Sequence, residues 1–307
     1  MTKVFIDGSS GTTGLRIYDR LLSRDDISLI KLTEAKRKDP DSRRKAANDA
    51  DIVFLCLPDQ ASIETVSMID NPDTVIIDTS TAHRTADGWD YGFPELRGKR
   101  EIIRNSKRIA NPGCHASGVI ALVEPLVRSG VVSHDIQLSV FSLTGYSGGG
   151  KRMIEEYETI GRNSLLDAPR MYGLGQNHKH LPEIRKVCLL ESDPIFCPIV
   201  APYYSGMEVA VMIHSSDCRC KMNEIKELYR EYYDMSSLIR ISEDDENGFM
   251  SASKYSGLDS MGISVTGNEE RIVLVARFDN LGKGASGAAI QNMNLVLGID
   301  ETTGLNI

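Results

Sequence analysis

One cysteine of the sequence stands where its thiol could act as a nucleophile. Cys114 closes the segment Asn111-Pro-Gly-Cys114, which predicts a turn, and an apolar helix is predicted from Ala116 to Val127. A cysteine at the start of a helix lies at the positive end of the helix macrodipole, which favours the thiolate over the thiol. We therefore interpret Cys114 as a nucleophile and the other five cysteines as structural.

A nucleophilic cysteine needs a proton carrier, and a polar segment further along the chain supplies candidates. Asn177-His-Lys-His-Leu-Pro-Glu183 contains two of the six histidines in alternation. In an extended conformation His178 and His180 would point the same way, and Glu183 could orient either imidazole. The hypothesis requires that this segment meet Cys114 in the fold.

A glycine-rich segment near the start of the chain is typical of a dinucleotide site. Gly8-Ser-Ser-Gly-Thr-Thr-Gly14 lies between a predicted strand, Lys3 to Ile6, and a predicted helix, Thr13 to Leu22. Glycines let the backbone approach a pyrophosphate, and the helix N-terminus presents N–H groups to it. Any strand-to-helix turn favours glycine, but the position at the first βα junction favours dinucleotide binding over a plain turn.

Basic residues after the second predicted strand bear on which dinucleotide is bound. Lys36, Arg37 and Lys38 follow Glu34 in a chain with 35 basic and 43 acidic residues. An acid usually binds the ribose hydroxyls of NAD at this point, whereas a basic group accommodates the 2′-phosphate of NADP. A solvated loop is the alternative interpretation of the basic run. We favour NADP.

The predicted elements divide the chain into two kinds of domain. Up to about residue 112 short apolar strands alternate with helices, which predicts a Rossmann-like, doubly wound α/β domain. Beyond it strands outnumber helices, which predicts a mixed, largely antiparallel α+β domain. The predicted boundaries are 1–112 with 284–307 for the cofactor, and 113–283 for catalysis, substrate binding and oligomerisation.

The individual elements follow from apolar patterning. The predicted strands are Lys3–Ile6, Ile27–Leu32, Asp51–Leu57, Thr74–Asp78, Ile136–Leu143, Ile199–Ile213, Met261–Thr266 and Arg271–Phe278. The predicted helices are Thr13–Leu22, Arg43–Ala50, Gln60–Ile69, Ala116–Val127, Met222–Tyr233 and Ala288–Leu297.

Composition excludes several classes of protein. The net charge is −8 and no basic block with interleaved aromatics occurs, so a nucleic-acid partner is not expected. No apolar run is long enough to span a membrane, and the N-terminus lacks the pattern of a signal peptide, so a cytoplasmic location is expected. Cys218 and Cys220 have no second Cys or His pair near them, so no metal site is predicted.

With these motifs the sequence resembles the N-acetyl-γ-glutamyl-phosphate reductases in their shorter form, over nearly its whole length. The resemblance rests on six segments in the same order: Gly8–Gly14, Asp78–Arg84, Asn111–Cys114, Thr144–Lys151, His178–Ile184 and Asn280–Asn294. No single motif is specific, but the ordered set is. One departure is His115, where many relatives have tyrosine.

The resemblance implies an arginine-biosynthesis enzyme that uses NADPH to reduce N-acetyl-γ-glutamyl phosphate to the semialdehyde through a Cys114 thioester. His178 is then the acid–base group, placed and polarised by His180 and Glu183. The implied substrate-binding residues are Arg84 for the phosphate, Asn111 or the Cys114 backbone N–H for the oxyanion, and Ser147 with Gly148 for the other end. The implied cofactor-binding residues are Gly8, Ser10, Gly11, Thr12, Thr13, Gly14, Lys36, Arg37, Ser80 and Asn280, and a homo-oligomer (dimer or tetramer) is expected.

Three other functions compete with this one. Aspartate-semialdehyde dehydrogenase shares the architecture and the cysteine chemistry, but the paired histidines before Pro182-Glu183 favour the glutamyl-phosphate enzyme. A cysteine hydrolase would need no dinucleotide loop. In a non-catalytic Rossmann regulator Cys114 would be incidental.

Overall fold

The computed structural model describes residues 1–243 and 246–307. Its helices and strands follow in the order β1 (Thr2–Asp7), α1 (Thr12–Leu21), β2 (Ile27–Ile30), α2 (Pro40–Asn48), β3 (Ile52–Leu55), α3 (Asp59–Ser67), β4 (Val75–Asp78), β5 (Asp90–Tyr91), α4 (Lys99–Arg104), β6 (Arg108–Ala110), α5 (Cys114–Arg128), β7 (Ser139–Gly145), α6 (Gly150–Glu158), β8 (Arg170–Met171), α7 (Leu181–Val187), β9 (Ile195–Ala201), β10 (Met207–His214), α8 (Met222–Tyr232), β11 (Ile239–Ile241), β12 (Met261–Gly267), β13 (Arg271–Phe278) and α9 (Gly287–Val296).

The chain forms two compact units. The first comprises 1–94, 98–113 and 285–305, and the second comprises 95–97, 114–284 and 306–307. The predicted boundaries at 112/113 and 283/284 each lie one residue before those of the units, whereas the short segment 95–97 was not predicted to join the second.

A six-stranded parallel sheet forms the centre of the first unit, in the order β2-β1-β3-β4-β6-β5. Every side chain of β3 and β4 is buried, because apolar clusters cover both faces of the sheet. One cluster joins the sheet to Ile17 and Met293, and the other joins it to Ala47. The strand order reverses at β1, and ligands of doubly wound folds bind outside the carboxyl ends of the strands at such a point.

The second unit contains a mixed seven-stranded sheet, in the order β11-β12-β13-β10-β7-β9-β8. Its β12, β13, β10 and β7 pair antiparallel, whereas β7 with β9 and β11 with β12 pair parallel. Helix α5 lies on one face, and a Cβ on its Gly118 would come within 2.4 Å of Val209. Glycine at this position therefore lets the helix approach the sheet closely.

The predicted fold class is confirmed, and two of the strand predictions are wrong in extent. The run from Ile199 to Ile213 is two strands, because the chain turns between β9 and β10 and Gly206 adopts a φ of +121°. Strand β7 starts only at Ser139, after a turn in which the Ile136 N–H bonds the Ser133 carbonyl. The helices α4, α6 and α7 were not predicted, since six to nine residues carry little periodicity.

None of the helices that the structure describes combines the length and the hydrophobicity needed to cross a membrane.

Candidate active site

Cys114 is the first residue of helix α5, as its position after Pro-Gly predicted. Its side chain is half-buried, and a Cβ on Gly284 would stand 3.0 Å from its own Cβ. All six cysteines are thiols. By contrast, burial raises the pKa of the Cys56 thiol to about 12 and that of Cys188 well above the usual value. These two cysteines are poor nucleophiles for a physical reason.

The ring of His115, the residue after the cysteine, is buried. Its Nδ1 atom lies 2.6 Å from Oγ of Ser142 and its Nε2 atom lies 2.7 Å from Oη of Tyr172. Burial, followed by the charges of His178 and Lys179, lowers its pKa to about 3. His115 is therefore neutral at physiological pH and too weak a base to be preferred as the acid–base group.

The histidine segment does meet the first turn of α5. The ring centroid of His115 lies 5.6 Å from that of His178 and 5.7 Å from that of His180. The segment is not extended, because the Leu181 N–H bonds the His178 carbonyl and the chain turns into α7. The rings of His178 and His180 consequently stand nearly perpendicular, with centroids 4.7 Å apart.

The two histidines differ in exposure and in neighbours. His180 is buried, and its Nε2 atom lies 4.0 Å from a carboxylate oxygen of the buried Glu183. His178 is only half-buried, and its Nδ1 atom accepts a hydrogen bond of 3.2 Å from the His180 backbone N–H. A substrate can therefore reach His178 more easily than His180.

Tyr172 belongs to this cluster and the sequence analysis missed it. Its backbone N–H bonds the carbonyl of Pro198 at 3.0 Å, which holds it at the end of β8. Its hydroxyl oxygen lies 2.7 Å from Nε2 of His115. Burial, followed by the charge of Cys114, raises its pKa. Ser142 was missed as well, although a serine at an inward position of an apolar strand is a signal that sequence could supply.

In the first unit the glycine loop has the geometry that a pyrophosphate requires. Gly8 adopts a φ of +87°, and a Cβ there would come within 2.2 Å of the Cys56 carbonyl oxygen. A Cβ on Gly14 would come within 2.4 Å of the Gly8 carbonyl oxygen. Only glycine fits these two positions.

The start of α1 also suits an anion. Gly11 is its N-cap, no side chain caps it, and its first turn contains no acid. The Thr12 hydroxyl is buried without a hydrogen-bond partner among the described residues. Ser10 is exposed and Thr13 is half-buried in the same loop. These features fit a bound dinucleotide phosphate.

The other predicted cofactor residues of the first unit differ in their surroundings. Lys36, Arg37 and Lys38 are exposed in a turn between β2 and α2, where both Lys36 and Arg37 bond the Thr33 carbonyl through their N–H groups. Ser80 is buried, and both its N–H and its hydroxyl donate to the Asp78 carboxylate.

Arg84 and Asn111 are bonded within the first unit. The Arg84 guanidinium donates to the carbonyls of Asn111 and Thr79, at 2.9 and 3.0 Å. The Asn111 side chain donates to the Ala285 carbonyl at 3.1 Å and accepts from Asn292 at 3.2 Å. Both side chains thus hold the backbone that leads to the cysteine.

Ser147, Gly148 and Asn280 lie together in the second unit. The Asn280 amide donates to the Ser147 hydroxyl at 3.0 Å and accepts from the Gly206 N–H at 3.0 Å. Ser147 is buried and Gly148 is exposed, and a Cβ on Gly148 would lie 3.2 Å from the Thr144 hydroxyl.

Comparison with known proteins assigns the family. The model described as semialdehyde dehydrogenase, dimerisation domain, matches residues 114–280, and the one described as semialdehyde dehydrogenase, NAD binding domain, matches 31–105. N-acetyl-gamma-glutamyl-phosphate reductase 2 of Nostoc sp. is 40% identical over 99% of both chains. The N-acetyl-gamma-glutamyl-phosphate reductase of Brucella ovis is 43% identical over 96% of this chain and 99% of its own.

The chain belongs to the N-acetyl-γ-glutamyl-phosphate reductase family.

Solved structures show that this reductase family shares its fold with more distant enzymes. Aspartate semialdehyde dehydrogenase II from Vibrio cholerae, complexed with ASA, has a TM-score of 0.72 at 17% identity, covering 97% of this chain and 98% of its own. Aspartate semialdehyde dehydrogenase with NADP from Candida albicans has a TM-score of 0.68 at 15% identity, covering 97% and 98%. At these identities the likeness establishes the fold alone.

Proposed function

We propose that this chain reduces N-acetyl-γ-glutamyl phosphate to N-acetyl-glutamate semialdehyde and inorganic phosphate, with NADPH as reductant, in arginine biosynthesis. The observation that carries the proposal is Cys114 at the first residue of α5, with the rings of three histidines at the same turn. Membership of the reductase family supplies the identity of the substrate.

The Cys114 thiolate attacks the carbonyl carbon of the acyl phosphate. The bond from carbon to sulfur forms and the bond from carbon to the phosphate oxygen breaks. Inorganic phosphate departs, and the acyl group remains on Cys114 as a thioester. NADPH, when bound, supplies the hydride that converts the acyl group to an aldehyde. The thiolate then departs and is ready for the next cycle.

His178 is the acid–base group in this proposal. His115 is neutral and bonded at both ring nitrogens, and His180 is buried against Glu183, which leaves His178 as the half-exposed imidazole of the cluster. It takes the proton of the thiol, donates it to the oxygen that develops charge when the hydride arrives, and takes it back as the aldehyde forms and the thiolate departs. His180 donates its backbone N–H to the His178 ring, and Glu183 faces His180, so both position it.

The backbone N–H of Cys114 stabilises the oxyanion, since N–H groups of a helix N-terminus point toward charge at that end. The Asn111 side chain, bonded to Ala285 and Asn292, is assigned to the support of the turn. Arg84 remains the candidate for the phosphate, and Ser147 with Gly148 remain candidates for the N-acetyl-glutamyl end.

The cofactor residues of this proposal are those whose geometry suits a dinucleotide phosphate. The loop from Gly8 to Gly14 approaches the pyrophosphate with its backbone, and Thr12 offers a buried hydroxyl. Lys36 and Arg37 are exposed cations after β2, where the 2′-phosphate of NADP is accommodated. Ser80 and Asn280 complete the proposed set.

Phosphate-dependent reduction of NADP by semialdehydes tests the function. With N-acetyl-glutamate semialdehyde we expect NADPH to accumulate only when phosphate or arsenate is present. Aspartate semialdehyde is the matched control and should react at least about 100-fold more slowly, because a missing polar group leaves buried partners unpaired. Faster reaction with aspartate semialdehyde would show that the proposed substrate is wrong.

Arg84→Lys tests the phosphate assignment in the same assay. Lysine keeps the positive charge but cannot form the bidentate hydrogen bonds of a guanidinium. The Michaelis constant for phosphate should therefore rise by about tenfold or more. The constant for the semialdehyde should stay nearly unchanged. If phosphate kinetics survive and only the unfolding temperature falls, Arg84 serves the Thr79 and Asn111 carbonyls alone and Lys151 becomes the candidate.

We infer that copies of the chain associate through the face of the seven-stranded sheet opposite α5. That face carries apolar side chains that are partly exposed, among them Phe141, Ala210 and Met212 on β7 and β10. The family model that matches this region is described as a dimerisation domain. Sedimentation should show a dimer or tetramer that Phe141→Glu weakens, and a monomeric wild-type protein would contradict the inference.

A further inference from the structure

The turn that follows β13 packs against the side chain of Cys114. Residues Gly282–Ser286 form one turn of π-helix, a geometry that often occurs at functional sites. A Cβ on Gly284 would lie 3.0 Å from the Cβ of Cys114 and 3.3 Å from the ring of Phe278. A methyl group at Gly284 would therefore press on Cys114. The backbone of this π turn is one wall of the space that holds the thiol.

Asp279 fixes the start of the π turn. The residue is 0% exposed, and its Oδ1 atom accepts the N–H groups of Leu281 and Gly282 at 2.7 and 3.1 Å. Its backbone carbonyl accepts the N–H of Gly284 at 3.0 Å, and its Oδ2 atom accepts the hydroxyl of Ser205 at 2.9 Å. One end of the turn is thus bonded to Asp279 up to the residue that faces Cys114.

A buried ion pair holds the middle of the π turn. The Nζ atom of Lys283 lies 2.7 Å from a carboxylate oxygen of Glu95, and the two side chains are 1% and 0% exposed. A lysine is almost never buried so completely unless its charge is paired. Lys283 directly precedes Gly284, so a side chain that is enclosed and paired in this way restrains the backbone that lies against Cys114.

Stability alone does not account for this pair. Apolar residues of similar volume often fill the place of a buried ion pair with no loss of stability, because desolvation of the two charges offsets their attraction. What the pair adds is a defined geometry, since the ammonium group must meet the carboxylate. Geometry matters at a nucleophile, where a misplacement of about 1 Å can cost about 100-fold in rate.

We propose that the Lys283–Glu95 pair holds the π turn against Cys114 and so fixes the thiol in the orientation that the acyl phosphate requires. Lys283 and Glu95 are then positioning residues, because they act through Gly284. The inference rests on the proposed function, in which Cys114 attacks the acyl phosphate.

Hydrogen exchange of the full-length protein, without substrate, tests whether the pair holds the turn. Lys283→Met together with Glu95→Leu, the apolar double variant, leaves neither buried charge without its partner. Mass spectrometry of the peptide that carries Leu281, Gly282 and Gly284 should show exchange at least about tenfold faster than in the wild type, because the turn then opens more often. Unchanged exchange in a variant that unfolds cooperatively would overturn the proposal.

The matched control removes another ion pair of the same unit. Arg128, the last residue of α5, pairs with the buried Glu124 at the end of the helix opposite Cys114. Arg128→Met together with Glu124→Gln removes both charges and keeps an acceptor for the hydroxyl of Tyr232. Exchange in the π turn should be the same as in the wild type. Equal acceleration in both double variants would show a general loss of stability and overturn the specific role of Lys283.

Comparison of turnover with alkylation tests whether the turn positions the thiol. Iodoacetamide can reach the sulfur from many directions, whereas a bound acyl phosphate needs one geometry. In the apolar double variant kcat should fall by about tenfold or more, while the Michaelis constants and the rate of Cys114 alkylation stay within about threefold. Full turnover despite faster exchange would overturn the positioning role. A shift of the alkylation profile along the pH axis would also overturn it, because the pair would then act on the charge of the thiol.

Gly284→Ala tests the wall directly. The added methyl group would lie 3.0 Å from the Cys114 Cβ, so that one of the two must move by a few tenths of an ångström. We expect kcat to fall by about tenfold, with alkylation again nearly unchanged. Gly175→Ala is the control, since a Cβ there has no neighbour closer than 3.4 Å, and it should retain turnover. Full turnover in Gly284→Ala would contradict the proposal.

These measurements separate the inference from the proposed function. If the wild type does not reduce the acyl phosphate but exchange in the apolar double variant is faster, the proposed function fails and the anchoring of the turn by Lys283 and Glu95 stands. If the wild type turns over a different semialdehyde, the same comparison of kcat with alkylation applies to that substrate. Reduction of the acyl phosphate with unchanged exchange in the variant would overturn the inference alone.

Discussion

Two polar clusters, one in each unit, use their hydrogen bonds differently. In the first unit the buried Asp78 carboxylate accepts bonds from Ser62, Ser80 and His83, at 2.6 to 2.9 Å. The amides of Asn111 and Asn292 bond each other and nearby carbonyls. We call this group the Asp78 cluster. In the second unit Cys114, Tyr172 and His178 are all half-exposed; with His115 and His180 they form the Cys114 cluster.

The Asp78 cluster supports the fold, whereas the Cys114 cluster offers groups for chemistry. Except for the Oδ1 atom of Asn292, the side-chain groups of the Asp78 cluster are bonded to other protein groups, and they hold the segments that follow β4 and β6. In the Cys114 cluster the neutral His115 is buried, but the thiol, the phenol and one imidazole are within reach of a ligand. Loss of a member of the first cluster should lower stability, whereas loss of a member of the second should lower the rate.

The largest expected effect is that of Cys114→Ser. The hydroxyl is nearly isosteric with the thiol but a far weaker nucleophile at neutral pH, so turnover should fall by at least about 10,000-fold. Thermal unfolding and NADP affinity should stay close to those of the wild type. Cys197→Ser is the matched control for loss of a half-buried thiol and should retain turnover. Residual activity above about a hundredth would rule out the thioester.

Asn292→Ala should lower the stability of the protein rather than its turnover. Asn292 is 0% exposed and donates to the Gly92 carbonyl and to the Asn111 side chain. Its removal leaves two buried acceptors without this donor, which should lower the free energy of unfolding by about 2–3 kcal/mol. Urea unfolding measures the loss, and the exposed Asn105→Ala is the control, expected within about 0.5 kcal/mol. A loss of that size in both variants would remove the distinction between the clusters.

Replacement of Lys36, Arg37 and Lys38 together by alanine sharpens the comparison within the first unit. These side chains are exposed, unlike the Asp78 cluster, so their loss should change cofactor choice and leave stability nearly constant. We expect the Michaelis constant for NADPH to rise by about tenfold or more, as for the loss of a charged contact, while that for NADH changes little. Equal changes for the two cofactors would show that the run is a solvated loop.

The last expected effect is a change in acid stability in His115→Gln. The folded protein binds a proton at His115 only at about pH 3, whereas the reference pKa is 6.5. The unfolded chain therefore binds more protons between these values, and the free energy of unfolding rises with pH there by about 1.4 kcal/mol per unit from this one group. The variant should lack that slope when urea unfolding is measured at pH 4.5, 5.5 and 6.5. Parallel curves below pH 6.5 would show that His115 is not buried neutral.

Local signals determined a large part of what the chain is. Pro112 and Gly113 before an apolar run were enough to predict Cys114 at a helix start, because a helix boundary depends on a few adjacent residues. The glycine loop after β1 and the alternation of strands with helices likewise predicted the first unit. The break at Gly206 was missed, since one glycine inside an apolar run does not distinguish a strand from a turn between two strands.

Only the tertiary structure decided which side chains meet. His115, Ser142 and Tyr172 come from a helix, a strand and a loop, and the bonds between them depend on strand register and on the path of the chain after β8. The same holds for Asn111, which looks like a substrate ligand in its motif and proves to be bonded to Ala285 and Asn292. The sequence by itself determined the family, the fold class and the helix that begins at Cys114. The packing of distant segments decided which polar groups are bonded internally and which remain within reach of a substrate, because burial and hydrogen-bond satisfaction are properties of the whole fold.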